Sequence, residues 1–238
     1  IYTLSLHDAL PIWSAQSASS GALPFHPGEA PFSRVEAMEK ERCPWCLQAT
    51  EQMLRYHDEE WGRPCYEDRG QFEFLVLESA QAGLSWRTIL SRRAGYRRAF
   101  AGFDPEKVAL FTEKDVARLM TDTGIIRNRK KIESAVQNAR VFLELAAKHG
   151  SFCRWFWNFT DGWSIQNAWQ RVDEVPATTP LSDRIAREMK GLGFRFLGST
   201  VIYAHMQATG MVNDHLINCF RYEELRNWPR FEAGLDKG

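Results

Sequence analysis

From residue 38 onward, apolar positions recur at helical spacing, and strand-like alternation is never sustained. In the run GQFEFLVLESAQA over 70–82, Phe74, Leu75, Leu77 and Glu78 fall within one turn, and Gly83 supplies a stop. Ser85 caps a second predicted helix, SWRTILSRRAGYRRAF, which carries Arg87, Arg92, Arg93, Arg97 and Arg98. Asp104-Pro105 reads as an N-cap followed by a proline at the first helical position. Thr112 with Asp115 reads as a capping box opening 113–121. Over 129–148, Ile132, Ala135, Val136, Ala139, Phe142 and Leu143 keep helical spacing before Gly150. Ser182 opens SDRIAREMK, Gly191 and Gly193 interrupt it, and 195–209 is helical again. A last short helix is expected from about Asn213 past Cys219. The predicted fold class is all-α, without internal repeats, in one domain over 38–238.

Residues 1–37 do not share this pattern. They are poor in charge, lack helical periodicity, and are Ser, Ala and Gly rich over 14–24, which reads as linker or disorder. No basic stretch precedes Leu4–Ile12, which argues against a signal peptide. The string IYTLSLHDALPI also resembles the translation of a sequencing-library adapter. Residues 1–37 are therefore expected to be a disordered or artefactual extension, with Met38 as the native start.

Composition narrows the function classes. The chain has 238 residues, with 30 Lys+Arg against 30 Asp+Glu, so it is no polycation that coats nucleic acid indiscriminately. Any DNA binding must use a local basic surface. With 15 Phe and 9 Trp there is enough burial drive to exclude disorder throughout. No apolar run is long enough for a spanning helix, so no membrane partner is expected. Five cysteines, an odd number, favour a reducing compartment, here the cytoplasm, with thiols free or on a metal.

Three constellations carry chemistry. The segment Met189-Lys190-Gly191-Leu192-Gly193-Phe194 lies between two helical stretches. A helix–hairpin–helix uses glycine there to turn and present backbone N–H groups to a phosphate, with Lys190 and Arg195 adding charge. A G-x-G alone is more often a corner that merely packs. Val212-Asn213-Asp214-His215 follows, in the place where helix–hairpin–helix DNA glycosylases carry a catalytic Asp; here Asn213 stands instead, and an amide is neither a base nor an anion. Finally, His215 and Cys219 are four residues apart and would face one way on a helix. With Cys43 and His57 they form a Cys2His2 set suited to one closed, structural zinc ion that joins the two ends of the domain. The alternative for each residue singly is a buried histidine or a buried thiol. Cys43-Pro44-Trp45-Cys46 adds a C-x-x-C that reads either as a redox pair or as a source of a substitute ligand.

Several separate motifs resemble the 3-methyladenine DNA glycosylase I family. They are Arg42-Cys43-Pro44-Trp45, Tyr56-His57-Asp58-Glu59-Glu60-Trp61-Gly62, Glu78 with Gln81-Ala82-Gly83-Leu84-Ser85-Trp86, Gly124-Ile125-Ile126-Arg127, Gly193-Phe194, Met206-Gln207-Ala208, and Val212-Asn213-Asp214-His215 to Cys219. The resemblance covers about 41–222. It implies a helix–hairpin–helix glycosylase fold and excision of 3-methyladenine from alkylated double-stranded DNA by a monomer. It assigns Cys43, His57, His215 and Cys219 to zinc, and the Asn in place of Asp is a family trait. A methylated adenine is a cationic, activated leaving group, so less protein assistance is needed.

By the same resemblance Tyr56 and Trp86 are aromatic walls of the base pocket, where a cationic base gains about 0.5–2 kcal/mol over a π face. Glu78 is its carboxylate, both base-binding and catalytic. Leu84 is either a wedge filling the gap left by the flipped nucleotide or a plain core leucine. Trp45 and Trp61 are expected to shape pocket or core. No lysine stands out as a Schiff-base nucleophile, so simple hydrolysis is expected. Some of Arg92, Arg93, Arg97 and Arg98 are candidates for phosphate contact, and Lys130 and Lys131 are ambiguous. Departures from the family pattern are Ser79-Ala80 after Glu78, and Pro44 and Cys46 in the first zinc loop. Two rivals remain at this level: a non-catalytic helix–hairpin–helix DNA-binding module, and a zinc hydrolase using His57-Asp58 or Asp214-His215, which needs an open metal position.

Overall fold

The computed structural model describes residues 40–47 and 50–232, so the expectations for residues 1–37 lie outside the described residues. In chain order the helices are α1 (Pro44–Leu47), α2 (Glu51–Glu59), α3 (Asp68–Gln81), α4 (Trp86–Leu90), α5 (Arg93–Ala99), α6 (Pro105–Ala109), α7 (Glu113–Thr121), α8 (Arg129–His149), α9 (Phe152–Trp157), α10 (Pro180–Leu192), α11 (Ser199–Ala208) and α12 (Phe220–Arg226). Two short strands, β1 (Ile165–Gln166) and β2 (Val212–Asn213), pair in parallel, with Ile165 opposite Val212 and Gln166 opposite Asn213. Among the described residues no helix is long and apolar enough to cross a membrane.

Local chemistry explains most boundaries. Asp104 accepts from the N–H groups of Glu106 and Lys107, and Pro105 follows it, as predicted. The Thr112/Asp115 capping box forms. Asn128 caps α8 by accepting from Lys131 N–H, and Gly150 ends it at φ +89°. Three expectations are corrected. Ser85 does cap a helix, but SWRTILSRRAGYRRAF breaks at Ser91–Arg92 into α4 and α5. Thr179, not Ser182, caps α10, because Ser182 sits three residues in and completes the box with Thr179. Gly191 remains inside α10, and Gly193 alone ends it at φ +102°, where a side chain would be strained.

Helix α3 is the centre of the molecule. Every residue from Gln71 to Gln81 is buried, so beyond its first turn α3 has no solvent face. It packs on α4, α8, α9 and α11, with Phe72 edge-on to Phe142 of α8, which stacks on Phe152 of α9. The consequence is chemical: Glu73 and Glu78 are carried into the interior with the apolar residues around them. The loop after α2 meets the end of α11. Gly62 N–H donates to Gln207 O and Cys65 N–H to Thr209 O, which tie the loop after α2 to the end of α11.

Candidate functional site

The cluster that joins the ends of the domain consists of the Sγ atoms of Cys43 and Cys219 and one ring nitrogen each of His57 and His215, all within 4.8 Å of one another and all buried. Cys219 Sγ lies 3.4 Å from His57 Nε2 and 3.5 Å from His215 Nδ1, and Cys43 Sγ lies 3.6 Å from His215 Nδ1. With Zn–S near 2.3 Å and Zn–N near 2.0–2.1 Å, a sulfur–nitrogen edge of a tetrahedron spans about 3.5 Å, and these three sulfur–nitrogen distances match it. The outer nitrogens are also occupied: His57 Nδ1 is 2.8 Å from Asp58 Oδ1, and His215 Nε2 is 2.9 Å from the Trp61 carbonyl. Such partners fix the tautomer and ring orientation of ligating imidazoles. Arg42 holds Asp58 through two nitrogens in turn. Burial opposes the charge on His57, yet its bond to Asp58 raises its pKa to about 10. A hydrogen bond from the Cys43 thiol holds the Cys219 sulfur toward the thiolate.

The predicted reason for this convergence is corrected. His215 and Cys219 are not on a helix; they lie in the turn between β2 and α12, with Cys219 as the N-cap of α12. The chain turns early because Asn213 is taken by β2 and Ile217 N–H donates to Trp169 O. Cys46 is buried outside the cluster, its thiol donating to the Cys43 carbonyl at 3.1 Å. Trp45 packs on His57 and Trp61, and Trp61 on His215.

Tyr56 of α2, Glu78 of α3 and Trp86 of α4 converge beside this cluster. The Tyr56 and Trp86 rings are 5.3 Å apart at 47°, and Phe74 and Trp45 flank Tyr56. A depression of about 420 Å³ opens onto Tyr56, rimmed by Gln52, Glu60, Leu90 and Arg93. Glu78 is 5% exposed and makes no hydrogen bond or ion pair with any described residue. Burial alone pushes its carboxyl up to about 8. Burial, and then the nearness of Glu78, also raise the Tyr56 phenol. Trp86 Nε1 is buried without a partner. Glu73, one turn earlier on α3, shows the contrast, since Arg93 Nε and Arg97 Nη2 both bind it. Two aromatic rings and one uncompensated acid are therefore buried together, and of the three only Tyr56 lines the depression.

Asn213 and Asp214 are structural in this arrangement. Asn213 Nδ2 donates to Gln166 Oε1 and to the Tyr222 carbonyl. Asp214 accepts from Asn167, Trp169, Tyr203 and Gln207 at 2.6–2.8 Å, all uncharged donors. Asp58 is likewise fully engaged, by the Arg42 guanidinium and His57. Neither acid is free to serve a metal-bound water, and the cluster's four donors surround one point, as in a closed site.

Leu84 sits at the turn after α3, half-buried against the core, and its N–H donates to Gln81 O. Lys190, Gly191 and Arg195 are exposed at the α10–α11 corner, with Gly193 half-buried between them. Of the arginines considered for phosphate, Arg93 and Arg97 are held by carboxylates and Arg92 donates to Thr123 O. Arg98 is exposed. Lys131 is half-buried, with Nζ donating to Ala80 O at 2.8 Å and Ala82 O at 2.6 Å. Asp58, Arg42, Asp214 and Lys131 escaped sequence reasoning as site supports; only their adjacency to a candidate ligand or turn could have marked the first three.

A methyladenine glycosylase family model matches residues 45–222. The chain is 42% identical over 182 residues to DNA-3-methyladenine glycosylase 1 of Escherichia coli K12, covering 76% of this chain and 97% of that protein. It is 40% identical over 178 residues to the DNA-3-methyladenine glycosylase of Haemophilus influenzae, covering 75% and 96%. Among solved structures, a crystal structure of 3-methyladenine DNA glycosylase I superposes with a TM-score of 0.73 at 44% identity, over 76% of this chain and 98% of that one. The 3-methyladenine DNA glycosylase I of Staphylococcus aureus superposes at 0.72 with 33% identity, over 79% and 97%, and was solved to explain 3-methyladenine recognition.

Proposed function

The chain belongs to the methyladenine glycosylase family, and on that premise we propose that it hydrolyses the N-glycosidic bond of 3-methyladenine in alkylated double-stranded DNA, opening base-excision repair. The observation that carries this reading is Glu78: a buried acid with no partner among the described residues, beside two aromatic faces. A carboxyl raised to about 8 is largely neutral at pH 7. It ionises there only when a cation enters, because an opposite charge favours the charged form. A methylated adenine in DNA carries that charge and a normal adenine does not. The site thus offers the cation an ion pair and cation–π attraction, and offers the neutral base neither.

The damaged base leaves the stack, at a cost of a few kcal/mol that is least for damaged pairs. Tyr56 and Trp86 receive its faces, and Glu78 accepts from its exocyclic amine. Cleavage leaves the bonding electron pair on the departing, now neutral purine and the positive charge on the sugar; water then adds to the sugar and its proton is lost to solvent. Asn213 is turned into the fold and takes no part. Leu84, on the turn that follows the Glu78 helix, fills the gap in the stack. The α10–α11 corner acts as a helix–hairpin–helix: Gly191, Gly193 and the backbone N–H groups around them meet a phosphate, with Lys190 and Arg195 beside it. Among the described residues Lys131 is the one half-buried lysine, and two carbonyls hold its ammonium, which supports hydrolysis without a Schiff base.

Cys43, His57, His215 and Cys219 would hold one zinc ion, whose contribution when bound is to clip residues near 43 and 219 together. An odd number of cysteines, two of them placed to ligate a metal, supports a cytoplasmic enzyme, and we read it as a monomer on DNA. The test is incubation of methylated duplex with the protein and chromatography of released bases. Free 3-methyladenine with unbroken abasic strands is expected. Binding without release would favour a non-catalytic DNA-binding module instead.

A further inference from the structure

Two side chains of α8 reach the two elements that the proposed function brings to DNA. Lys131 Nζ donates to the carbonyls of Ala80 and Ala82, at the end of α3 and the start of the Gly83-Leu84 turn. Asn138 is buried, and its amide grips the backbone of Arg195 both ways: Arg195 N–H donates to Oδ1 at 2.8 Å, and Nδ2 donates to Arg195 O at 2.9 Å. Residues seven apart return to one helix face after two turns, about 10 Å along the axis. We propose that Lys131 and Asn138 are positioning residues that use α8 as a rigid spacer, holding the Gly83-Leu84 turn and the Gly193–Arg195 hairpin at the separation one DNA strand requires.

Local propensity favours neither residue, which is what points to a role beyond the helix. Lys131 is the third helical position of α8, where the dipole opposes a cation and an acid would be better placed. Burial disfavours its charge further, lowering its pKa. Both penalties are offset by two carbonyls that belong to another helix and that its ammonium satisfies as a C-terminal cap. Asn138 is mid-helix, where asparagine is a modest helix former. Its pair of bonds to one residue fixes both the distance and the rotation of the hairpin loop, as a single bond would not. Local rules broken in this way mark positions selected for something other than local stability. Catalysis supplies a reason, since a displacement near 1 Å between binding elements costs about 100-fold in rate.

This inference rests on the glycosylase reading, and its test separates the two. Wild type, Lys131→Met, Lys131→Arg, Asn138→Ala and the Lys131→Met/Asn138→Ala double variant are compared in single-turnover excision from methylated duplex DNA. Binding of free 3-methyladenine is followed in parallel by tryptophan fluorescence. Lys131→Met and Asn138→Ala are each expected to slow excision about 10- to 100-fold. Free-base affinity should stay within about twofold, because the pocket walls are untouched. Lys131→Arg, which keeps donors for the carbonyls, should recover most of the rate. The double variant should be little slower than the worse single one, since both relax the same separation. Should Asn138→Ala not fold, Lys131→Met at its half-buried position carries the test. Variants that excise like an active wild type overturn the spacer, and so does free-base affinity that falls in step with excision. A wild type that releases no base overturns the glycosylase reading, and the spacer with it.

Discussion

His57 Nε2 and Cys219 Sγ lie 3.4 Å apart across 162 residues of sequence. A buried thiol and imidazole at that distance, repeated across four donors with both outer ring nitrogens engaged, form a site whose organisation makes sense with an ion. The full-length chain is expected to carry one zinc per molecule. Cys219→Ala or His215→Ala should lose it and forfeit several kcal/mol of metal-linked folding free energy, with a matching fall in Tm. Elemental analysis with thermal unfolding checks this, and zinc loss at unchanged Tm contradicts it.

Gly62 permits a sharper test that spares every ligand. Its φ is +78°, and a Cβ there would lie 2.9 Å from His215 Nε2, the nitrogen bonded to the Trp61 carbonyl. Gly62→Ala should tilt that imidazole and weaken zinc retention by about 10- to 100-fold, the range seen when ligand supports are removed. Competition with a chromophoric chelator reads this directly. Retention equal to wild type would show that the ring tolerates the displacement.

Glu78 gives stability a definite pH dependence. Its folded carboxyl is raised to about 8 from the ordinary 4.5, so between those values the folded chain holds more protons than the unfolded one. Stability from this group is therefore full below about pH 4.5, falls by up to about 1.4 kcal/mol per pH unit through the window, and levels off above pH 8. Glu78→Gln lacks that slope. Denaturant unfolding at pH 5.5 and 8.5 should show the variant gaining on wild type by a few kcal/mol as pH rises; parallel profiles would mean that Glu78 has a partner or ionises freely.

Asn213 should matter for folding and little for chemistry. Asn213→Ala removes bonds to Gln166 and to the Tyr222 carbonyl at a fully buried position, a loss of about 1–3 kcal/mol. Single-turnover excision by the folded variant should stay within about 10-fold of wild type, 1.4 kcal/mol of barrier. A fall of several orders of magnitude with the fold intact would place Asn213 in the reaction.

Helix positions were legible in the sequence wherever capping chemistry was local: Asp104-Pro105, Thr112 with Asp115, and the apolar face of 129–148 needed only their own neighbours. The ends that differed depend on tertiary partners. Residues 213–219 could not be a helix because β1 claims Asn213 and Trp169 claims Ile217, segments that periodicity does not connect. The convergence of Cys43, His57, His215 and Cys219 was legible because thiolate and imidazole are chemically matched as donors to one ion. Glu78 was named from a resemblance, but its isolation was not readable: Glu73, five residues away on the same buried helix, finds two arginines, and the pattern of α3 gives both acids the same surroundings. Lys131 stayed ambiguous and Asn138 unmarked in the sequence because the groups they hold are backbone atoms, which leave no mark on residue identity.

The central claim is that an unpaired buried acid selects a cationic base. Excision of 3-methyladenine from methylated duplex DNA, measured at pH 7 for wild type and for Glu78→Gln under single-turnover conditions, tests it most directly. Release by wild type that falls about 100-fold or more in the folded, zinc-loaded variant is the predicted result, since the lost charge–cation contact is worth about 3 kcal/mol or more. Equal release by both proteins would contradict it, because an amide would then serve as well as the carboxylate on which the selection depends.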